Sequence, residues 1–224
     1  MNDIISAINN ALQTTETVIR AVPAGHWRRP TPCPDWDVHQ VTNHLVGGMR
    51  IFAGEVTGTP EAAAHESDWL GTDPVAAYAD AAVADRAAWQ RPDALSGTIT
   101  IGLGTLPAPL AAVIHLTEVL VHGVDVAVAI NRADLVNQDQ CAALLTAMQQ
   151  MGGVDAYRVP GVFGPEVTAA ADDLPHRRLL AYLGRKFPDS DPGFLGRGHQ
   201  QGQQAFRLAG FAGHEELSLF GGKH

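Results

Sequence analysis

The stretch from about residue 106 to residue 130 is the most apolar part of the chain, yet it contains His115, Glu118, His122 and Asp125. It approaches the length of a membrane-spanning helix, which needs about 20 consecutive apolar residues, but its ionisable side chains argue against that role. A charge buried in a protein core needs a partner or a metal ion. Because a four-helix bundle places such groups in its core, this stretch predicts a helical bundle with a polar centre.

The spacing of these residues limits which of them can share one metal ion. Glu118 and His122 are four residues apart, so on an α-helix they lie on one face, one turn apart. His115 and His122 are about 10 Å apart along the helix axis, too far for one ion to bind both easily. The workable pairs are Glu118 with His122 or His115 with Glu118. Asp125 could accept a hydrogen bond from the imidazole nitrogen of His122 that does not bind the metal.

A second helix is expected over about 38–56. Asp37 is a good N-cap, and Gln40 at the third helical position completes a capping box. Steps of three, four and three residues place a histidine on an apolar stripe of this helix, formed by Val41, His44, Gly48 and Ile51. His44 is therefore expected to point toward the interior, and Gly48 to allow the close approach of another helix or a ligand.

His44, Glu118 and His122 together form the predicted metal site. Two histidines and one carboxylate leave coordination positions open, which suits catalysis better than a structural role. A glutamate and a histidine four residues apart also occur on apolar helices without a metal, as a buried hydrogen-bonded pair. A polar core network is therefore the alternative to a metal site.

The remaining pattern predicts a largely helical protein. Residues 57–72 are expected to form a loop and residues 96–101 a short extended segment. We expect a helical body over 1–186 and a weakly structured C-terminal tail over 187–224, since the tail is rich in glycine and poor in helical signals. The other helices are expected over about 2–22, 74–90, 108–130, 139–150 and 174–184. These features together indicate a mainly all-α bundle of four or more long helices with short extended segments.

Composition excludes two classes of partner. The formal net charge of -9 argues against nucleic acid or an anionic membrane as the main partner, because both need a basic surface. Cys33 and Cys141 form no CxxC pair, and the N-terminus lacks the basic and apolar regions of a signal peptide, so a cytoplasmic protein is expected. The oligomeric state is left open, with a homodimer as one option.

Cys33 is an alternative nucleophile. Its neighbours Asp35 and Asp37 would raise the pKa of the thiol rather than lower it, which argues against a catalytic cysteine. Trp27 and Trp36 are expected to pack against the first turn of the second helix rather than bind a ligand. His39, in that same turn, is expected to face solvent.

Separate motifs between residues 10 and 186 resemble one family, in the same order along the chain. Trp27 precedes the first of them, and they read TPCPDWDV at 31–38, NHLVGG at 43–48, EVLVHGVDVA at 118–127, PGVFGPEV at 160–167 and RLLAYLGR at 178–185. They resemble actinobacterial proteins with a mycothiol-dependent maleylpyruvate isomerase-type metal-binding domain. The resemblance implies a DinB-like four-helix bundle. It also implies a divalent ion, usually zinc with nickel as the alternative, held by His44, Glu118 and His122.

The same resemblance points to a thiol cofactor, mycothiol or a similar low-molecular-weight thiol. A thiol entering the open position of the metal would lose its proton and could add to a small electrophilic substrate. The implied enzyme is a metal-dependent thiol S-transferase or isomerase. The family's isomerase carries a further C-terminal domain, whereas only the short tail 187–224 is expected here. Maleylpyruvate itself is therefore not the expected substrate. A non-catalytic metal-binding or small-molecule-binding protein on the same bundle is the alternative.

Overall fold

The computed structural model describes residues 2–159 and 162–187 of the chain. This part contains six α-helices and one β-hairpin. The helices are α1 (Asn2–Arg20), α2 (Val38–Thr57), α3 (Pro74–Trp89), α4 (Ala108–Ala129), α5 (Gln138–Gln150) and α6 (Pro175–Tyr182). The prediction of a mainly α-helical, DinB-like bundle is confirmed. The predicted helix bounds are within two residues of those observed.

Helices α1 to α4 form the bundle. Both α1 and α2 pack against α3 and against α4, so each helix of the four has two neighbours. Helix α4 has the length and apolarity of a membrane span, but 78% of its most apolar window is buried within the described part of the fold. Its apolar side chains are therefore covered by the neighbouring helices, and three of its ionisable side chains, His115, His122 and Asp125, are buried with them.

Helix α2 begins as its sequence predicts. The Asp37 side chain accepts a hydrogen bond from the backbone N–H of Gln40, and the Gln40 side chain accepts one from the backbone N–H of Asp37. This reciprocal pair satisfies two backbone donors that the first turn leaves free. Gly58 ends the helix in the left-handed conformation, with φ at 72°.

The hairpin was predicted only in part. Strand β1 (Thr98–Ile101) lies within the predicted extended segment, but it pairs in antiparallel fashion with a second strand, β2 (Gly104–Pro107), that was not predicted. Pro107, which directly precedes α4, pairs with Thr98 at the end of the ladder, where a residue without an N–H is tolerated.

The segment after the bundle packs back onto it. Helices α5 and α6 contact each other, and α6 also contacts α4. Phe187, the first residue of the predicted tail, is buried against the core, with the Arg177 guanidinium 4.7 Å from its ring centre. The rest of the predicted tail, 188–224, lies outside the described residues. So do Pro160 and Gly161, which precede α6.

Candidate metal centre

The predicted ligands meet between two helices of the bundle. His44 lies on α2, and Glu118 and His122 lie on successive turns of α4. The Oε2 atom of Glu118 is 2.9 Å from His44 Nε2 and 3.4 Å from His122 Nε2. The side chain of Glu118 is 37% exposed and that of His44 is 18% exposed, whereas His122 is buried. The structure thus brings the three side chains together at a position that opens toward solvent.

The donor atoms of these three residues fit a divalent metal ion. They all lie within 4.8 Å of one another. Two ligands of a tetrahedral zinc ion, at bond lengths of about 2.0–2.1 Å, lie about 3.3 Å apart. The two measured separations, 2.9 and 3.4 Å, fall on either side of that value. Imidazole nitrogen and carboxylate oxygen are also donors that suit zinc and nickel.

Asp125 orients one of the histidines. Its Oδ2 atom is 3.1 Å from His122 Nδ1, and the Asp125 side chain is fully buried. A carboxylate at this distance keeps the proton on Nδ1, so the Nε2 atom of His122 presents its lone pair toward Glu118 and His44. This is the hydrogen bond that the sequence spacing predicts.

Arg185 completes the arrangement from the far end of the described chain. Its Nε atom donates to Asp125, at 3.2 Å from Oδ1 and 3.1 Å from Oδ2. The guanidinium is buried, and the negative charge of Asp125 raises the pKa of Arg185 although burial opposes this. The sequence did not predict this role for Arg185. The residue ends the last family motif, at 178–185, but the sequence does not show that this motif lies next to the bundle.

The electrostatics hold two of the three ligands in the state that a metal needs. Burial lowers the pKa of His44 to about 4, although Glu118 opposes the shift. Burial alone would raise the pKa of Glu118, but its bonds with His122 and His44 outweigh burial and hold that pKa well below its ordinary value. For His122, Asp125 and Glu118 overcome burial and raise the pKa. At neutral pH His44 is therefore neutral and Glu118 is anionic.

Aromatic side chains surround the ligands. The ring of Trp36 lies 4.8 Å from that of His44 and 5.8 Å from that of His122, measured between ring centres. Trp36 was expected to pack against the first turn of α2 rather than bind a ligand, and the structure adds that its ring lies against the two histidines. His39 is half-buried rather than fully solvent-facing, and its backbone N–H donates to Trp27 O.

A third histidine, which the sequence did not indicate, lies in the loop between α2 and α3. The ring of His65 stacks on that of His44 with centres 4.3 Å apart, and its Nε2 atom donates to His44 O at 3.1 Å. Asn43 fixes the loop by donating to Ser67 O and accepting from the backbone N–H of Trp69. The stretch has no helical or strand periodicity, so no pattern signalled its position.

Glycines on α2 make room for this loop. A Cβ atom at Gly47 would lie only 2.5 Å from Trp69 Nε1, whereas one at Gly48 would lie 3.6 Å from His65 Nε2. The expected close approach therefore occurs, but it involves a loop rather than a helix or a ligand, and it is tightest one residue before the predicted position. A side chain at Gly47 would displace the loop from His44.

His115 lies outside the site. Its Nε2 atom is 2.7 Å from Asp85 Oδ2, and Trp89 Nε1 donates to Asp85 Oδ1 at 3.1 Å. Both His115 and Asp85 are buried. Of the two workable pairs, the structure brings Glu118 together with His122 and engages His115 with α3.

Cys33 lies beside the site but is held as a thiol. Its Sγ atom forms a second group of three candidate ligands with His122 and Asp125 and lies 3.9 Å from Arg185 Nη2. Burial raises the pKa of Cys33 to about 12, and the nearby charge of Asp125 adds to the shift. The pKa shift has the predicted direction, and Asp35 contributes to it, but burial and Asp125 contribute more than Asp35.

Comparison with known proteins places most of this site within one sequence family. The family described as "Mycothiol maleylpyruvate isomerase N-terminal domain" matches residues 9–127, a range that includes the three candidate ligands and Asp125 but not Arg185. Two relatives from Mycobacterium tuberculosis, strains CDC 1551 / Oshkosh and ATCC 25618 / H37Rv, are each described as an uncharacterized protein and are 27% identical over 184 residues. Each match covers 82% of this chain and 98% of the relative. No solved structure matches the chain significantly.

Proposed function

Because the chain belongs to the mycothiol maleylpyruvate isomerase N-terminal domain family, we propose that it is a divalent-metal-dependent enzyme that uses a low-molecular-weight thiol. The thiol is mycothiol or a compound like it, and the substrate is a small electrophile. The reaction is transfer of the thiol sulfur or a thiol-assisted isomerisation. A cytoplasmic location fits this proposal, since free thiols are kept reduced in that compartment.

The observation that carries the proposal is the convergence of three donors at a position open to solvent. His44, Glu118 and His122 would hold the ion, with zinc favoured over nickel. Three protein ligands leave a position free, and the exposed side of Glu118 is where a small molecule could enter. When bound, the ion supplies a Lewis-acid position at which an incoming thiol loses its proton.

The other residues at the site support this chemistry by positioning and by excluding water. Asp125 keeps the Nε2 atom of His122 free to bind the ion. The rings of Trp36 and His65 cover part of the two histidines and narrow the approach, so that water around the reacting atoms is restricted. No protein nucleophile is needed, since the incoming thiol supplies the sulfur, and Cys33 is protonated at neutral pH.

The first experiment measures metal content of the purified protein by elemental analysis, together with zinc and nickel titration of metal-free protein. We expect about one equivalent of metal, lost in His44→Ala and Glu118→Ala. Glu55→Ala on α2 is a matched control, because the Glu55 side chain accepts a hydrogen bond from the backbone N–H of Thr100, outside the site. Absence of metal from the wild type, with no uptake on titration, would reduce the three residues to a polar core network.

A second experiment separates an enzyme from a binding protein. The metal-loaded protein is incubated with mycothiol and monochlorobimane, whose chloride is displaced by the thiol sulfur while the thiol proton is released to solvent. We expect turnover above the uncatalysed rate that disappears in Glu118→Ala. Tight metal binding and saturable thiol binding without turnover of this or related electrophiles would instead support the non-catalytic alternative.

A further inference from the structure

Arg185 is a buried cation that the family match does not include. It follows α6, 58 residues beyond the end of the matched range at 127. Its side chain is only 6% exposed, and its charge partner Asp125 is fully buried. Burying a charge pair has a large desolvation cost, so such a pair is weak evidence for stability and calls for another explanation.

The second partner of Asp125 supplies that explanation. Arg185 Nε bonds both carboxylate oxygens of Asp125, while His122 Nδ1 bonds Oδ2 of the same group. The carboxylate is thereby held from two sides, and its plane cannot turn without breaking a contact. A fixed carboxylate in turn fixes the ring of His122, whose other nitrogen faces Glu118.

The segment that carries Arg185 is itself rigidly attached. The backbone N–H of Arg185 donates to Leu180 O at 3.0 Å. Gly184 has a φ of 80°, and a Cβ atom on it would lie 2.5 Å from the backbone of Gly164, so only glycine suits this approach. Arg158 clamps the same segment by donating to Gly164 O at 2.7 Å and Tyr182 O at 3.0 Å.

We propose that Arg185 is a positioning residue of the metal centre, which acts through Asp125 to fix the ring of His122. The inference rests on the proposed metal site. It makes the C-terminal segment around α6 part of the functional unit, although this segment provides no ligand. Loss of the Arg185 side chain leaves Asp125 free to turn and His122 less well oriented. The expected cost in metal affinity is about 10- to 100-fold, as for other groups that orient a ligand.

The test measures zinc affinity of metal-free protein by competition with a chromophoric chelator, together with the absorption spectrum of the cobalt(II)-loaded protein. Arg185→Met is expected to bind zinc about 10- to 100-fold more weakly and to change the cobalt spectrum. Arg185→Lys keeps the charge but has no donor at the position of Nε, the atom that contacts both carboxylate oxygens, so its affinity should fall between those of Arg185→Met and the wild type. In an Asp125→Ala background, Arg185→Met should cause no further loss of affinity.

Arg132→Met is the matched control. It removes a guanidinium that forms two hydrogen bonds with Asp134 and does not contact Asp125, so it should leave zinc affinity and the cobalt spectrum unchanged. Wild-type affinity and an unaltered cobalt spectrum in Arg185→Met would overturn the inference while the proposed metal site stood. If Arg185→Met does not fold, wild-type affinity and spectrum in Arg185→Lys would overturn it. A wild type that binds no metal would instead overturn the proposed function itself.

Discussion

Helix α4 carries two histidine–carboxylate pairs that differ in what surrounds them. His122 bonds Asp125 beside a glutamate that is 37% exposed, and a second histidine faces it from α2. His115 bonds Asp85 of α3, in surroundings where the two side chains are 1% and 0% exposed. Each pair lies near a tryptophan ring, Trp36 in the first case and Trp89 in the second.

The difference shows that a histidine–carboxylate pair is not by itself a functional signature. Around His115, Asp85 bonds the Nε2 atom of the ring through one carboxylate oxygen and the Trp89 N–H through the other, so both of its oxygens are engaged. Around His122, three donors converge and one of them reaches solvent. The first arrangement links α3 to α4, whereas the second has the donor number and the opening that a metal and a ligand require.

Disruption of the closed pair should have the largest effect on stability. Asp85→Ala leaves His115 and the Trp89 N–H buried without a partner, so we expect the free energy of unfolding to fall by about 3–5 kcal/mol. Metal content per folded molecule should stay at the wild-type level. Denaturant unfolding of the metal-free protein, followed by elemental analysis of the metal-loaded protein, checks both.

Asp85→Asn is the milder control, since an amide can still bond both partners. It should lose much less stability than Asp85→Ala. If either variant lost metal while remaining folded, the closed pair would belong to the metal centre, and the contrast between the two pairs would fail.

Removal of a ligand from the open site should affect metal binding strongly and stability little, which is the opposite of the result expected at the closed pair. Glu118→Ala is expected to weaken zinc binding by more than about 100-fold, beyond the range for groups that only orient a ligand. Metal-free stability should change little, because the carboxylate is partly solvated and its two bonds are to histidines. Titration calorimetry and unfolding of metal-free protein measure the two quantities, with Glu55→Ala as control. Unchanged zinc affinity in Glu118→Ala would remove the carboxylate from the ligand set.

Local spacing explains how much of this contrast the sequence could predict. Glu118, His122 and Asp125 lie within eight residues of one helix, so their shared face follows from helical geometry alone. The capping box likewise placed the start of α2, and with it the orientation of His44. The four bundle helices were predictable for the same reason, since each has its own periodic pattern and boundary residues.

The remaining features depend on contacts between distant segments. The pairing of His115 with Asp85 depends on how α3 packs against α4, and no spacing within either helix specifies it. His65 lies in an aperiodic loop, and Arg185 is 60 residues from Asp125 in sequence. Strand β2 was missed because its sequence, Gly104–Pro107, is short and ends in a proline.

The loop side of the open site should contribute a smaller effect. His65→Ala removes a stacked ring and one hydrogen bond to His44 O, worth about 0.5–1.5 kcal/mol, or roughly 2- to 12-fold in zinc affinity. His39→Ala, on the first turn of α2, is the control and should have no effect. Chelator competition measures both. A loss greater than about 100-fold would make His65 a ligand rather than a support.

The smallest expected effect on the function of the open site is that of Cys33→Ala, which tests whether the site also exposes a protein nucleophile. Its folded-state pKa of about 12 exceeds the ordinary value of 9.0, so the folded protein disfavours the thiolate. Alkylation by iodoacetamide below pH 9 should therefore be roughly 1,000-fold slower in the folded than in the urea-unfolded protein, and should increase about tenfold per pH unit. Because ionisation above pH 9 favours the unfolded state, the rates are compared below that pH.

The Cys33→Ala variant isolates Cys141, whose buried thiol also has a pKa of about 12, and should keep wild-type turnover. Two results would contradict this: rapid alkylation of the folded protein at pH 8 that disappears in Cys33→Ala, and loss of turnover in the same variant. Together they would identify Cys33, rather than the incoming thiol, as the nucleophile.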